Sequence, residues 1–251
     1  MGFFRPRAPV DELERIWIEE MLRWCAAEFG PRTLSTPVIL PTDDYFPGAY
    51  SGTESQVRAV VQRVAGYMGV GRDRFVVEFD SATDAMPPDL PAFLHVPSHG
   101  EAGHYRLEHG RAVVSLELSR MRSPVTLVAT VAHELAHERL LGERRIDADR
   151  HDGEQLTDLT TVYLGLGVFN ANAAFQFSQN HRGWGWQRLG YLSQPMYGYA
   201  LACWTVMRGD PKPTWAHHLD TNPRVYMKQS LKYLRANPDA LPEWHSAAFE
   251  S

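Results

Sequence analysis

Cysteine is scarce in this sequence: the 251-residue chain has two, Cys25 and Cys203, each inside an apolar helical pattern and neither in a CxxC or CxH setting. That excludes a thiolate metal site and a disulfide scaffold; two small buried thiols in a reducing compartment are expected instead. Long apolar runs are missing as well. The longest, Val162–Phe169 (VYLGLGVF), falls far short of the roughly 20 residues that cross a bilayer. Positive charge is not in excess, since 25 Lys+Arg stand against 30 Asp+Glu, a formal charge of −5. Nucleic-acid and membrane-surface binders need a basic face, so neither partner is expected. The start, MGFFRPRAPVDELERIW, has no apolar h-region, and Pro6 stands where a myristoylation motif requires Ser or Thr. A cytoplasmic location follows as the expectation. Internal repeats and low-complexity tracts are also lacking.

What is present suffices for a packed core. Hydrophobic residues make up 44% of the chain, and a chain of this size buries roughly 70–75% of its extended surface. Asp11 and Glu14 have capping-box spacing at the head of a helix over 11–29, stopped by Gly30-Pro31. Thr53 and Gln56 repeat the pattern before a helix with Val57, Val60, Val61, Val64 and Met68 on one face. Val38–Leu40 and Phe75–Phe79 read as strands. Tyr105–Leu107, a His109-Gly110 turn and Ala112–Leu118 read as a β-hairpin. Ser123-Pro124 opens a helix reaching Leu141, with Gly142 as its stop. A further helix is expected over 154–169, where Asn170 and Asn172 would cap it, and others near 195–208, 223–236 and 241–249. Strands in the first half and helices in the second predict an α+β fold: one domain, 1–251, with a strand-bearing lobe over 1–122 and a helical lobe over 123–251.

The helix after the hairpin contains His133-Glu134-Leu135-Ala136-His137, an HExxH motif. Histidines four apart stand one above the other on a helix, so both imidazoles reach one metal ion. Glu134, next in sequence to His133, flanks that position and is suited to take a proton from a metal-activated water. The surrounding VTLVATVAHELAHERLL is too apolar for a surface helix. Two imidazoles and a carboxylate buried there without a partner would cost several kcal/mol, a conflict that a metal ion resolves. A catalytic zinc needs a third protein ligand. Glu154 and Asp158, another pair four apart, are the candidates, with His151 and Asp152 close by.

At this point the chain resembles the gluzincin, or thermolysin-like, metallopeptidases, which join HExxH to a Glu on a following helix and an acidic residue four positions later. The resemblance covers His133 to Asp158. It implies a zincin-like fold, a small mixed or antiparallel sheet in the N-terminal lobe, a metal-bearing helix pair, Zn²⁺ as cofactor and a peptide or protein substrate. It implies Glu154 as third ligand and Asp158 as the residue that orients His133. Two features depart from the pattern: Gly153 replaces the Asn that commonly precedes the ligand Glu, and the spacing is shorter. Asp158 therefore stays open as the alternative ligand. In such proteins an edge strand before the metal helix aligns an extended peptide, which assigns that task to Ala112–Leu118. VILPTDDYFPGAYSGTE, GYMGV, EQLTDLTTVYLGLGVFNANAAF and GYLSQPMYGYALA also resemble an uncharacterised family of bacterial HExxH proteins, which brings no substrate with it.

A developing oxyanion needs a further donor, and Tyr199 is chosen from Tyr191, Tyr197, Tyr199, His217 and His218, with Gly198 allowing a close approach beside it. Gly165 and Gly167 are expected to let two helices pack closely. His95, His99 and His104 lie in a Pro/Gly-rich connection with no metal spacing. An intracellular peptidase must be narrow or gated, so restricted specificity is expected. The competing function is a zinc-binding protein of the same fold without peptidase activity, a regulator or interaction module. Partner binding through Trp184 and Trp186 is compatible with either.

Overall fold

The computed structural model describes residues 6–80, 103–180, 191–210, 212–241 and 243–244. Its helices are α1 (Glu12–Phe29), α2 (Glu54–Met68), α3 (Pro124–His137), α4 (Gly153–Tyr163), α5 (Gly167–Asn180), α6 (Gln194–Met207) and α7 (Thr221–Ala236). Its strands are β1 (Phe75–Asp80), β2 (Gly103–Glu108) and β3 (Arg111–Glu117). The fold is mixed α+β. None of the described helices is long and apolar enough to cross a membrane.

The chain divides into two compact units, each discontinuous in sequence. One comprises Met1–Leu40, Asp158–Phe175 and Tyr191–Ser251; the other comprises Pro41–Thr157 and Gln176–Gly190. This division groups α3 with the strands, where the sequence pattern put a lobe boundary at 122/123. The reason is contact: α3 packs on α2, β2 and β3.

In the unit containing α3, the three strands run in the order β1-β3-β2. β1 pairs with β3 in parallel, from Phe75↔Ala112 to Asp80↔Glu117. β2 pairs with β3 antiparallel, with Tyr105 opposite Val114. The hairpin turn has His109 at φ 49° and Gly110 at φ 79°; two positive φ angles make it a type I′ turn, whose twist matches that of the strands. β3 therefore lies in the middle of the sheet with both edges hydrogen-bonded. That corrects the expectation of an edge strand there, because a strand paired on both sides has no free backbone groups for a peptide. Its residues Ala112–Leu116 are buried without alternation, as in a strand covered on both faces. Both expected capping boxes form, Asp11 with Glu14 and Thr53 with Gln56. On α2, Val57, Val61, Val64 and Met68 are buried, as its periodicity requires, while Val60 sits at the margin.

The other unit is helical, built on α1, α6 and α7 with most of α4 and α5. The helix expected over 154–169 is two helices. Gly165 takes φ 89°, and its carbonyl accepts the Ile39 N–H at 2.9 Å. That bond also explains why 37–40 is no strand: the segment docks by this bond between Pro37 and Pro41, which have no donors. Asn172 lies within α5, where its side chain binds the His218 carbonyl and the Asp220 N–H instead of capping a helix; Asn170 is likewise inside α5 and buried. Gly167 packs against Leu201 of α6, in line with the close helix approach expected of it. Cys25 and Cys203 are buried and form no disulfide. His95, His99, Trp184, Trp186 and nearly all of the helix expected over 241–249 lie outside the described residues, and His104 pairs with Ser115 through its backbone in β2.

Gly198 permits a close approach, and the partner is α7. A Cβ added there would lie 2.4 Å from Tyr226 Cβ and 2.9 Å from the Met227 backbone nitrogen. Backbone cannot step aside as a side-chain tip can. Gly198→Ala is therefore expected to lower stability by roughly 2 kcal/mol, read as an earlier urea midpoint with unchanged m-value.

Candidate metal centre

α3 begins where Ser123 accepts the Thr126 N–H and Pro124 occupies the first turn. Every residue from Leu127 to His137 is buried, so the helix is enclosed on all sides. His133, Glu134 and His137 retain 7%, 3% and 5% of their exposure. The helix turns the two imidazoles toward one point: His133 Nε2 and His137 Nε2 are 3.2 Å apart, with ring planes at 83°. Glu154, in the first turn of α4, completes the cluster. Its Oε2 lies 3.2 Å from His133 Nε2 and 3.6 Å from His137 Nε2.

Three donor atoms thus form a triangle with edges of 3.2, 3.2 and 3.6 Å. Ligands held at 2.0–2.1 Å around a tetrahedral zinc ion stand roughly 3.3 Å apart, so the triangle has the dimensions of one tetrahedral face. The residues therefore fit a metal ion of that class. Of the two carboxylates competing for the third place, Glu154 is the one in the group whose donor atoms lie within 4.8 Å of one another. Burial works to raise the pKa of Glu154. Its hydrogen bonds and charge interactions with His133 and His137 outweigh that and hold the carboxyl well below its ordinary range.

The surroundings add residues that no short motif announces. After His137 the helix widens into one π-helical turn, Glu138–Gly142, closed by the bond from the Glu143 N–H to the Glu138 carbonyl. The wider turn folds the Glu138 carboxyl back over Gly142, where an added Cβ would lie 1.8 Å from Glu138 Oε2. Gly142 is thus a space-maker as well as a stop. Glu138 is 1% exposed. Its Oε1 takes Arg74 Nε at 2.9 Å and Nη2 at 2.7 Å, and its Oε2 accepts the Tyr105 hydroxyl at 3.1 Å. Burial holds the Glu138 carboxyl above its ordinary range against the pull of both partners. Burial also raises the Tyr105 phenol, and the Glu138 carboxylate adds to it. The Tyr105 ring stacks on His137, with centroids 5.6 Å apart and planes at 28°. A chain of contacts therefore runs from Arg74 through Glu138 and Tyr105 to the second histidine.

Other expected residues have different settings. Asp152 is engaged by Arg150, at 2.5 and 2.9 Å, and His151 is exposed. Asp158 belongs to the helical unit, where its Oδ2 accepts the Leu192 N–H at 2.9 Å and the Tyr197 hydroxyl bonds to it. Tyr199 also belongs to that unit. It is fully buried, and its hydroxyl donates to Glu19 Oε1 at 2.5 Å, with Arg15 on the same carboxylate. A phenol has one proton to donate, and here a carboxylate holds it. Tyr199 is therefore part of an α1–α6 network, which corrects its choice as oxyanion donor. His217 and His218 lie side by side with tilted rings at the end of a short 3₁₀ helix, Thr214–His218, as expected of a helix end. No protein-family model, curated protein or solved structure matches the chain.

Proposed function

We propose that the protein is a zinc-dependent metallohydrolase, a peptidase of restricted specificity with a zincin-like fold of gluzincin pattern. One observation carries the reading: His133 Nε2, His137 Nε2 and Glu154 Oε2 converge at 3.2–3.6 Å from one another, the spacing that ligands of a tetrahedral zinc ion would have. Three protein donors of the His/His/Glu type are the set of catalytic zinc sites, which keep one position for water or substrate. Zinc bound there would supply a Lewis acid that polarises a carbonyl and acidifies water. Glu134, buried beside His133, takes the proton of the attacking water and returns it to the leaving amine. The near-complete burial of His133, Glu134 and His137 supports restricted access for peptide or protein substrates. Two buried cysteines that form no disulfide support a reducing, cytoplasmic setting.

Elemental analysis of the purified protein against a His133→Ala/His137→Ala double variant tests the site. The wild type is expected to carry zinc and the variant to carry almost none; equal zinc in both would overturn the reading. Cleavage of a mixed peptide library, read by mass spectrometry, tests the activity. Zinc without any cleavage would favour a metal-binding regulator, and rapid degradation of unfolded casein would contradict restricted specificity.

A further inference from the structure

The two ring nitrogens of an imidazole differ, and a histidine binds metal through whichever carries the lone pair. Something must decide which that is for His137. Thr157 lies three residues beyond Glu154 on α4, so the two share a helix face. It is 1% exposed. Its Oγ1 sits 2.8 Å from the Gly153 carbonyl oxygen and 3.4 Å from His137 Nδ1.

A threonine hydroxyl has one hydrogen. A carbonyl oxygen can only accept, so the contact with Gly153 consumes that hydrogen. Toward His137, Oγ1 then offers lone pairs alone. Nδ1 must carry the hydrogen for this second contact to be favourable, and the lone pair of the neutral ring is left on Nε2. That is the nitrogen 3.2 Å from His133 Nε2 and 3.6 Å from Glu154 Oε2.

We infer that Thr157 is a positioning residue: its hydroxyl, oriented by the Gly153 carbonyl, fixes His137 in the Nδ1–H tautomer and so aims the Nε2 lone pair at the metal position. The inference rests on the metal-centre reading above. It makes the first turn of α4 a two-part device, with Glu154 supplying a donor atom and Thr157 presetting a donor on the other helix. The stacked Tyr105 ring restrains the imidazole plane, while Thr157 restrains its edge. Outer partners of this kind typically alter metal affinity by about 10–100-fold.

The full-length protein serves for the test. Zinc affinity is measured by competition with a chromophoric chelator for the wild type, Thr157→Val and Thr157→Ser. Valine keeps the shape and removes the oxygen; serine keeps the hydroxyl. Thr157→Val is expected to bind zinc about 10–100-fold more weakly, with Thr157→Ser close to wild type. In the zinc-free protein, a long-range ¹H–¹⁵N spectrum of the imidazoles is expected to show His137 protonated on Nδ1, and Thr157→Val to lose that preference. A purely structural role would not move the tautomer. Wild-type affinity in Thr157→Val together with an unchanged tautomer would overturn the inference. So would a wild-type His137 protonated on Nε2, an outcome readable even if the valine variant fails to fold. Absence of zinc binding by the wild type would instead overturn the metal-centre reading, and the spectrum would still decide the tautomer.

Discussion

A Glu134→Gln protein is expected to keep the zinc content of the wild type and to cleave the same library peptides about 10²–10⁴ times more slowly, the range typical of a lost general base. Glutamine preserves the shape of the side chain but cannot take up a proton. The three atoms that could hold a metal ion belong to His133, His137 and Glu154, so the change leaves that group intact. The readout is kcat with metal content measured on the same sample. Loss of zinc together with activity would show that Glu134 acts structurally; unchanged turnover would remove it from the mechanism. This combination separates the motif glutamate from its neighbours, because His133→Ala or His137→Ala would lose metal and turnover together.

The second large effect is on stability. Arg74→Ala is expected to cost about 2 kcal/mol, since it leaves the buried Glu138 carboxyl without its charged partner. The asymmetry of the pair motivates the figure: Arg74 is 41% exposed in its side chain, Glu138 only 1%. The arginine loses little by being removed, whereas the carboxylate is left with the Tyr105 hydroxyl as its remaining partner in this network. Glu138→Gln removes the charge that Arg74 neutralises. The double variant Arg74→Ala/Glu138→Gln is therefore expected to recover more than half of the loss, and urea denaturation of all four proteins closes the cycle. Additive losses would mean that the two side chains do not depend on each other. Because Tyr105 joins Glu138 to the ring of His137, zinc affinity of the same variants reports whether this network also steadies the metal position.

The parts of the fold legible in the sequence are those governed by neighbours in the chain. Asp11 with Glu14, Thr53 with Gln56 and Ser123 before Pro124 mark helix starts, because a cap is satisfied three residues away. His109-Gly110 marks the hairpin, because the turn type is set by two φ angles. His133, His137 and Glu134 were visible for the same reason, one helical turn being enough to define them. Legibility failed where a distant group decided. The 154–169 run is apolar enough for one helix, yet it breaks at Gly165, whose carbonyl is used by Ile39. Ala112–Leu118 carries no mark of being central; pairing with β1 on one side and β2 on the other makes it so. Nothing near Tyr199 in the chain announces that its hydroxyl donates to Glu19, a residue 180 positions away.

The sequence alone determined that any metal here must be held by imidazole and carboxylate, since two isolated cysteines offer no thiolate set. It also determined which two imidazoles share a helix face, because the period of the α-helix is local information. Only the tertiary structure shows that Glu154 joins the two imidazoles in one group that could hold a metal ion. Glu154 and Asp158 lie four apart on one helix and are equivalent by spacing. The connection from α3 brings the Glu154 carboxylate within 3.2 Å of His133, while the Leu192 N–H and the Tyr197 hydroxyl engage that of Asp158. The tertiary structure likewise supplied Thr157, Tyr105, Glu138 and Arg74. Their contacts join side chains 20 to 64 residues apart, and no periodicity encodes a contact across such a distance.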